Sequence, residues 1–600
     1  MKVAEFIINY LEDIGVKDIF TVVGGGSIFL CDALGLSKKI KYIACHQEQA
    51  ASMAAESYAR VKNSIGVNIV TSGPGGTNCV TGVAGAWLDH VPHLTISGQV
   101  FSKQTIKCKP PGLRTLGVQE INIVDVVKPI TKYAVMVTDA QDIKYHLEKA
   151  IYMSTHDRPG PVWLDIPADI QNTKIEPNEL KGFIPEEVLI DNKNLEEQVA
   201  NVINQIKQSK RPVIHLGQGV RISNAQNILL TILERLQIPI LTARNANDII
   251  DSSHDLFVGR PGTFAQRGAN FVVQTSDLYI AIGTRLSLAQ TGYNAKDYAR
   301  NAKVIMIDID ESELNKDTVS IDTKICSDAK QFLDEVLNQL NIKKVPVLKW
   351  ESWLIQCKEW QKKYPVVLQK YKEQTKYVNT YYLIELLSEI LGPNTIVVTD
   401  MGFAYQNTHQ AFQIKQGQRL FTNSGLASMG WGLPAAIGAA TASKEADVIC
   451  ICGDGGFMMN INEMATLMHH KQNIKIFIFN NNGYLTQKQA QEHGFEGRIM
   501  GSDADSGVSF PDFLQIANAH KIEAQRIDNH MDLKEKLISI LRYNGPILCD
   551  IVMDPNQLQA PKSINRRDKD GNVKQTSLED SFPFLDNAEI EANMSIIHKI

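Results

Sequence analysis

The sequence predicts an α/β protein made of three doubly wound parallel-sheet domains followed by a C-terminal arm. Short runs rich in β-branched residues alternate with stretches of helical periodicity along most of the chain. These runs are apolar throughout, as expected for strands of a parallel sheet that helices cover on both faces. At 600 residues the chain is long enough for three or four domains. The predicted strands include 65–71, 94–98, 212–216, 278–282, 303–309, 395–399, 447–452 and 474–480.

Two polar stretches indicate where the domains meet. Residues 172–194 carry two prolines and many charges, and residues 343–376 are rich in Lys, Gln and aromatic side chains. Boundaries placed there predict the following division, in chain order: an N-terminal domain at 1–182, a central domain at 183–345, a linker at 346–372, a third domain at 373–555 and an extended arm at 556–600.

The composition excludes several classes of protein. With 61 Lys and Arg against 66 Asp and Glu, the formal net charge is −5, which argues against nucleic-acid binding. No apolar run approaches the 18 or so residues of a membrane span. The first residues form an amphipathic helical pattern, unlike a signal peptide, and the nine scattered Cys are typical of buried thiols in a reducing compartment. We therefore expect a cytoplasmic protein without a nucleic-acid or membrane partner.

The most specific motif lies in the predicted third domain. The strand at 447–452 ends in Gly453-Asp454-Gly455-Gly456, and the next strand ends in the string 480–483, Asn-Asn-Asn-Gly. Asp454 and Asn481 are 27 residues apart, which is one strand–helix–strand unit. Both are therefore expected at the carboxyl ends of neighbouring strands, where open α/β sheets bind ligands. Each string alone is typical of an ordinary turn; together they indicate a site for Mg²⁺ and a diphosphate, built from hard oxygen ligands and a glycine-lined helix start.

These strings make the chain resemble the thiamine-diphosphate enzymes, and among them the acetolactate (acetohydroxyacid) synthases. The segment GLASMGWGLPAAIG at 425–438 is close to the family's GLGTMGFGLPAAIG, and QEQAASMAAESYAR at 47–60 is similar to its HEQGAxHAADGYAR. The resemblance covers residues 1–555, and further similar strings are GPGGTN at 73–78, DHVP at 89–92, GQV at 98–100 and RPGPV at 158–162.

The resemblance implies a catalytic role for Glu48. It corresponds to the family glutamate that hydrogen-bonds the aminopyrimidine ring of thiamine diphosphate. A carboxyl group there favours the imino tautomer, and the imine removes the proton from the weakly acidic thiazolium carbon. Without the resemblance, Glu48 reads as an ordinary charge at a helix N-terminus. Gln119 matches a family glutamine near the substrate, and is the second predicted catalytic residue; His90 and His93 are weaker candidates for substrate contacts.

The resemblance also implies which residues bind the cofactor and that the subunits associate. The Asp454 and Asn481 side chains and the Gly483 carbonyl match the Mg²⁺ ligands, and Met429 matches the bulky residue that bends the cofactor. Because Glu48 and the metal ligands come from different subunits in this family, we expect a homodimer or homotetramer. The remaining residues expected at the thiamine diphosphate are Gly402, Ser428, Gly453, Gly455 and Gly456.

The central domain resembles the flavin-binding domain of acetolactate synthases. The strings at 217–221, 283–285 and 307–310 stand where that domain holds FAD. The residues predicted to contact FAD are Arg158, Arg285, Asp308 and Asp328. The alternative is a spacer domain without a cofactor, and the family's GxRFDDR is replaced here by GTRLSLA at 283–289.

The differences from the acetolactate synthase sequences lie mainly among residues expected near the acceptor, the second substrate. The family's GQHQ is Gly402-Phe-Ala-Tyr here, and Ala490 replaces the tryptophan that contacts the second 2-oxoacid. The tail strings at 565–568 and 577–585 resemble a branch found with surface-polysaccharide genes. We therefore predict decarboxylation of pyruvate and transfer of the two-carbon unit to a keto-sugar nucleotide. The alternatives are an acetolactate synthase that uses a second 2-oxoacid, a simple decarboxylase or oxidase, and an inactive scaffold or regulatory paralogue.

Overall fold

The protein is described here from a computed structural model. The structure describes residues 1–108, 112–186, 192–567, 573, 574 and 576–600. Part of the predicted boundary at 172–194 and part of the tail string at 565–568 therefore lie outside the described residues. In the part of the chain that the structure describes, no helix is both long and apolar enough to cross a lipid bilayer.

The first sheet has six parallel strands in the order β2-β1-β3-β4-β6-β5. Its strands are β1 (Asp18–Thr21), β2 (Lys41–Ala44), β3 (Gly66–Val70), β4 (His93–Gln99), β5 (Tyr133–Met136) and β6 (Pro161–Pro167). The helices are α1 (Val3–Asp13), α2 (Ile28–Leu36), α3 (Glu48–Lys62), α4 (Pro74–Asn78), α5 (Val80–Leu88), α6 (Ile123–Val127), α7 (Ile143–Thr155) and α8 (Ala168–Asn172). Short 3₁₀ helices lie at Gly25–Ser27, Ser102–Gln104, Ile106–Cys108, Lys128–Ile130, Ala140–Asp142 and Pro177–Glu179.

The second sheet also has six parallel strands, in the order β12-β11-β10-β7-β8-β9. Its strands are β7 (Pro212–Leu216), β8 (Ile240–Thr242), β9 (Phe257–Gly259), β10 (Leu278–Ile282), β11 (Lys303–Asp308) and β12 (Thr323–Cys326). The helices are α9 (Asn192–Gln208), α10 (Gly219–Ile222), α11 (Gln226–Leu236), α12 (Arg267–Thr275), α13 (Leu288–Thr291), α14 (Glu311–Asn315) and α15 (Ala329–Ile342), with 3₁₀ turns at Arg244–Ala246 and Ala295–Asp297.

The third sheet repeats the strand arrangement of the first, with the order β14-β13-β15-β16-β18-β17. Its strands are β13 (Thr395–Thr399), β14 (Arg419–Phe421), β15 (Asp447–Gly453), β16 (Ile474–Asn480), β17 (Glu523–Ile527) and β18 (Ile547–Val552). The helices are α18 (Thr380–Ile390), α19 (Phe403–Ala411), α20 (Gly432–Ala442), α21 (Asp454–Met458), α22 (Glu463–His470), α23 (Leu485–Gly494), α24 (Phe513–Ala519) and α25 (Leu533–Arg542).

These three parallel sheets with helices confirm the predicted fold class. Strands lie at the predicted positions because the apolar runs there are buried on both faces of the sheet, as in β10 and β16. The segment predicted as a linker, 346–372, contains α16 (Glu351–Lys363) and α17 (Gln369–Lys372). Trp353 and Trp360 of α16 are buried in the same apolar cluster as Phe271 of α12, so this segment packs on the central sheet's helices.

Close packing of α3 on α20 joins the first domain to the third. A Cβ atom added to Gly438 would lie 2.1 Å from the carbonyl oxygen of Ala54, so only glycine allows the two backbones to approach this closely. The Ser57 hydroxyl donates to the carbonyl oxygen of Ala435 at 2.7 Å. Small residues at this contact therefore fix the two helices against each other.

A network of buried charged and polar side chains near this contact includes residues of all three domains. The Arg60 guanidinium pairs with Glu56 at 2.6 Å and with Asp89 at 2.8 Å. Glu56 also accepts hydrogen bonds from Trp431 Nε1, at 2.7 Å, and from Asn423. Asn423 and Trp431 belong to the third domain, whereas Glu56 lies on α3 of the first. The Glu56 carboxylate therefore has these two hydrogen bonds only when the two domains are packed together. Asn245 of the central domain adds a longer hydrogen bond to Asp89, at 3.4 Å.

The C-terminal arm folds back over the central domain. It contains a two-residue antiparallel pair, β19 (Arg566–Arg567) with β20 (Val573–Lys574), then α26 (Asn587–Met594) and a 3₁₀ turn at Ser595–His598. Leu578 and Ile596 enter the apolar cluster around α12 and α16. The guanidinium of Arg267 donates to the carbonyl oxygens of Ser581 and Pro583, at 3.0 and 2.6 Å.

Replacing Arg267 with methionine should loosen the arm. The substitution keeps an apolar stem but leaves two carbonyl oxygens without their charged donor, at a cost of about 2 kcal/mol. We expect limited proteolysis to remove residues after about 577 faster than in the wild type. Arg542→Met, a surface change on α25, is the control; equal cleavage of the Arg267→Met variant and this control would show that Arg267 does not hold the arm.

Candidate active site

The carboxyl edge of the third sheet presents two buried carboxylates. In this strand order the chain leaves β13 and β15 toward opposite sides, which opens a crevice at the carboxyl ends of these strands. Asp400 directly follows β13, and Asp454 begins α21 directly after β15. The crevice therefore has one carboxylate on each side.

Asp454 is held by peptide N–H groups. Its Oδ1 accepts from the N–H of Gly455 at 2.7 Å, and its Oδ2 accepts from Asn481 and Gly483 at 3.0 and 3.1 Å. Burial raises the pKa of this carboxyl to about 7, although the peptide N–H groups oppose the shift. Among the described residues no Lys or Arg lies within 4.0 Å of it. A buried carboxylate with this surplus of negative charge, beside an amide and a glycine, suits a divalent cation.

Asp400 was not among the residues predicted from the sequence. Its carboxylate accepts from the N–H groups of Met401, Gly430 and Gly432, at 2.6, 3.0 and 3.2 Å. Burial raises its pKa to about 6, against the effect of these hydrogen bonds. It thereby fixes the turn that directly follows Ser428 and Met429. The available signal was its position: an acid directly after the apolar strand at 395–399 and two residues before Gly402.

Glycines keep the floor of the crevice free of side chains. A Cβ atom on Gly455 would lie 2.0 Å from the Tyr484 ring, and one on Gly456 would lie 2.9 Å from the Asp400 carboxylate. Gly402 precedes α19 with φ of 68°, in the left-handed region that favours glycine. Gly453 has open space where a Cβ atom would stand. The backbone of both strand ends is therefore accessible to a phosphate group.

Ser428 and Met429 lie on the turn before α20. The Ser428 hydroxyl is buried, and none of the described residues hydrogen-bonds to it. Met429 is half-buried beside Gly430, whose N–H group binds Asp400. The structure thus brings together the residues predicted in the third domain, namely Gly402, Ser428, Met429, Gly453, Asp454, Gly455, Gly456, Asn481 and Gly483.

Glu48 and Gln119 belong to a different edge, that of the first sheet. Glu48 begins α3, and its Oε2 accepts from the Asn78 amide at 2.9 Å. A Cβ atom on Gly75 would lie 3.8 Å from Glu48 Oε1, so the missing side chain leaves space beside this oxygen. Gln119 is exposed on a loop, with φ of 62°, and its carbonyl oxygen packs against Gly73.

Within one chain, no hydrogen bond or ion pair between described residues joins Glu48 to Asp454, Asn481 or Gly483. Exposed apolar side chains lie along the first-sheet edge. Val23 follows β1 and is 69% exposed, and Val118 beside Gln119 is 85% exposed; Ile28 and Phe101 are also exposed. Apolar patches of this kind mark interaction surfaces.

A first cleft lies at the carboxyl edge of the central sheet. The strand order there is that of dinucleotide-binding folds, with the crevice between β7 and β10. Gln218 and Gly219 follow β7, while Gly283 and Thr284 follow β10, and all four line the cleft. The oxygens of the Gln218 and Thr284 side chains are buried without a hydrogen-bond partner among the described residues. These oxygens are positioned to bind a polar ligand.

The four residues predicted to contact FAD all line this first cleft: Arg158, Arg285, Asp308 and Asp328. Their surroundings differ. Arg158 pairs with Asp310 and, at 2.8 Å, with Glu313, while Arg285 donates to the carbonyl oxygen of Leu88 at 2.9 Å.

Asp308 and Asp328 of the cleft, and the histidines at 90 and 93, each have a different environment. Burial raises the pKa of Asp308. Asp328 caps the N-terminus of α15. His90 lies between Arg158 and Arg285; burial and these two cations hold its pKa well below the usual range, so it is neutral. His93 is buried inside the first domain and contacts Asn68.

Comparisons with known proteins match each of the three domains. Residues 1–124 match the thiamine pyrophosphate enzyme N-terminal TPP binding domain, residues 199–336 the central domain, and residues 400–551 the C-terminal TPP binding domain. The acetolactate synthase large subunit of Cyanidium caldarium is 33% identical over 556 residues, which cover 91% of this chain and 92% of that relative. The chain belongs to the thiamine pyrophosphate enzyme family.

Other relatives carry similar names. A probable acetolactate synthase large subunit of Methanocaldococcus jannaschii is 35% identical over 569 residues, covering 92% of each chain. The acetolactate synthase isozyme 1 large subunit of Escherichia coli is 31% identical over 564 residues, covering 93% of this chain and 95% of that one. The protein is thus an acetolactate synthase-like enzyme that depends on thiamine diphosphate. The comparisons give no support to the predicted keto-sugar nucleotide branch.

Removing the Asp454 carboxylate should abolish cofactor retention. In Asp454→Ala the peptide N–H groups of Asn481 and Gly483 lose their acceptor, and a bound cation loses its charged ligand. We expect the affinity for thiamine diphosphate with Mg²⁺, measured by calorimetry, to fall by about 100-fold or more.

Asp447→Ala is the matched control, because Asp447 is exposed at the opposite end of the same strand. It should bind as the wild type does. Wild-type binding by Asp454→Ala would remove this carboxylate from the metal site.

Proposed function

We propose that the protein joins the two-carbon unit of pyruvate to the carbonyl group of a second 2-oxoacid, the reaction of an acetolactate synthase. The observation that carries this proposal is the Asp454 carboxylate, buried without a cationic partner among the described residues and facing a glycine-lined crevice. The three relatives described above carry the name acetolactate synthase, which favours the 2-oxoacid acceptor over the keto-sugar nucleotide. These names also favour an active enzyme over an inactive scaffold or regulatory paralogue.

The crevice residues fit thiamine diphosphate and Mg²⁺. Asp454, Asn481 and Gly483 would hold the cation, with Gly402 and the N-terminus of α21 offering peptide N–H groups to the diphosphate. Ser428 has a free hydroxyl at this place, and Met429 lies beside it. When bound, the cofactor would supply a carbon nucleophile for a carbonyl group and an acceptor for the electron pair that is freed when CO₂ leaves.

Glu48 holds and moves the proton in this proposal. Asn78 orients its carboxyl group through Oε2, and Gly75 leaves Oε1 accessible. From that position Glu48 would hydrogen-bond the pyrimidine ring and exchange a proton with it. Gln119, on the adjacent loop, would contact the substrate. The Glu120 carboxylate fixes this loop by accepting from the N–H groups of Leu116 and Gly117, so Gln119 is held near Gly73.

A homodimer is part of the proposal. Within one chain no hydrogen bond between described residues joins Glu48 to Asp454, while exposed apolar side chains lie along the first-sheet edge. A second copy would cover Val23, Ile28, Phe101 and Val118, and would bring its own crevice to Glu48. Burial of such a surface is a strong driving force for association. A tetramer of two such dimers remains an alternative assembly.

The flavin proposal rests on the first cleft. The dinucleotide-binding strand order and the unpartnered oxygens of Gln218 and Thr284 fit the adenosine diphosphate half of FAD. Arg285 would face the diphosphate, whereas Arg158 is already neutralised by Asp310 and Glu313. Asp308 and Asp328 are placed to bind hydroxyl or amino groups of the nucleoside.

Glu48→Gln should nearly abolish turnover and leave cofactor binding within about twofold of the wild type. A neutral amide cannot exchange the proton, and loss of general acid–base catalysis costs about 10²–10⁴-fold. Steady-state kinetics and calorimetry separate the two effects. Glu5→Gln, which changes a glutamate in the first turn of α1, is the control. Activity of Glu48→Gln within threefold of the wild type would exclude Glu48 from the chemistry.

The acceptor is tested by incubating the enzyme with pyruvate, thiamine diphosphate and Mg²⁺, and identifying the products by mass spectrometry. We expect acetolactate from pyruvate alone, because pyruvate is then both donor and acceptor. A parallel reaction contains a 4-keto deoxy-sugar nucleotide. Pyruvate consumption that requires this ketone would refute the 2-oxoacid acceptor and support the acceptor first predicted from the sequence.

Purified protein incubated with FAD and freed of excess ligand should be yellow. Its absorbance should show flavin bands at about one flavin for each chain, without net reduction during turnover. Thr284→Val removes an unpartnered hydroxyl of the cleft and should lower the retained flavin. Colourless wild-type protein at saturating FAD would leave the central domain as a spacer.

A further inference from the structure

A second cleft adjoins the first and is roofed by the C-terminal arm. Thr263, Leu288 and Tyr293 of the central domain line one side of it, and Ser563, Asn565 and Leu578 of the arm line the other. Its volume is about 350 Å³, against about 140 Å³ for the first cleft. Ligand pockets usually measure about 300–1,000 Å³, and the two clefts together fall within this range.

Among the described residues, Arg244 alone lines both clefts. It follows β8, and α13 lies across from it. Of the residues around α13, Ser287 and Gln290 face the first cleft, while Leu288 and Thr291 face the second. The wall between the two clefts therefore consists of α13 and the Arg244 side chain.

The Arg244 guanidinium lies between the two clefts. Its Nη2 donates to Thr263 Oγ1 at 2.9 Å and to the carbonyl oxygen of Ala289 at 2.8 Å. The guanidinium also lies over the ring of Tyr405, 5.8 Å from its centre. These contacts hold the side chain in place between the space beside Thr284 and the space under the arm.

We propose that Arg244 is a gate that decides whether a dinucleotide can occupy both clefts. The proposal rests on the proposed flavin site. The adenosine diphosphate half binds in the first cleft with the gate closed. The aromatic ring half reaches the second cleft only when the guanidinium leaves Thr263 and Ala289, so binding of the full dinucleotide bears the cost of breaking these two hydrogen bonds.

Two features of the second cleft suit a planar, polar ring system. Tyr293 at its rim is 78% exposed, so a ring of the chain is free for stacking. Ser563 has a buried hydroxyl without a hydrogen-bond partner among the described residues. Asn294 and Asn565 add amide groups to the lining. The arm therefore forms part of a ligand site as well as packing on the central domain.

The test compares ligands that need one cleft with a ligand that needs both. ADP, FMN and FAD are titrated by calorimetry into the full-length wild-type protein and into Arg244→Ala. Arg244→Lys keeps the positive charge but cannot donate to both Thr263 and Ala289 in the same way. Arg498→Ala, in which a guanidinium that is 71% exposed is removed far from the clefts, is the control.

We expect the Kd for FAD to fall at least tenfold in Arg244→Ala, which corresponds to about 1.4 kcal/mol. Arg244→Lys should show an intermediate value. The Kd for ADP should stay within twofold in every variant, because ADP does not pass the gate. A thermal unfolding midpoint close to that of the wild type would show that the variant is folded, and ADP binding gives a second check.

Three results would overturn the gate. Equal FAD affinity in the wild type and Arg244→Ala would show that the guanidinium does not obstruct the ligand, while leaving the flavin proposal intact. A parallel change in ADP and FAD affinity would make Arg244 a contact of the shared half. Binding of ADP but of no flavin to any variant would refute the gate together with the flavin proposal, and would leave the first cleft as a nucleotide site.

Discussion

The packing of the first domain against the third rests on the buried charges around Arg60. Arg60 is almost completely buried, and its charge is balanced by Glu56 and Asp89 of the same domain. Glu56 reaches the third domain through Trp431 and Asn423. Removing one partner from such a buried network costs about 3–5 kcal/mol, because a charge is left without compensation. The network thereby sets the position of the crevice, since Trp431 follows the turn that carries Met429.

Much of the fold followed from local pattern. Apolar runs such as 278–282 and 474–480 are strands because both faces are covered, and this is visible in their composition. The order of the strands within each sheet was not predictable in the same way, because it depends on which helices pack together over long sequence distances. The helices α16 and α17 were missed since the stretch at 346–372 looks polar. Two of its three tryptophans, Trp353 and Trp360, are buried and carry the packing.

The candidate site was predictable where a motif and a strand end coincide, as at Asp454 and Asn481. Asp400 was missed although it follows a strand as Asp454 does, because no glycine-rich string surrounds it. Arg244 could not be found from sequence at all. Its importance comes from two hydrogen bonds, to Thr263 and Ala289, that exist only after the central sheet has formed. Residues that close a passage have no local signature, whereas residues that line a strand end do.

The position of the arm at the end of the chain has a consequence for biosynthesis. Domains generally fold as units while the chain is made, from the N-terminus onward. The surface of α12 and α16 that accepts Leu578 and Ile596 stays uncovered until these two residues leave the ribosome. During that interval the nascent protein presents an apolar face that includes Trp360. The second cleft therefore acquires its roof only after all three domains have been made.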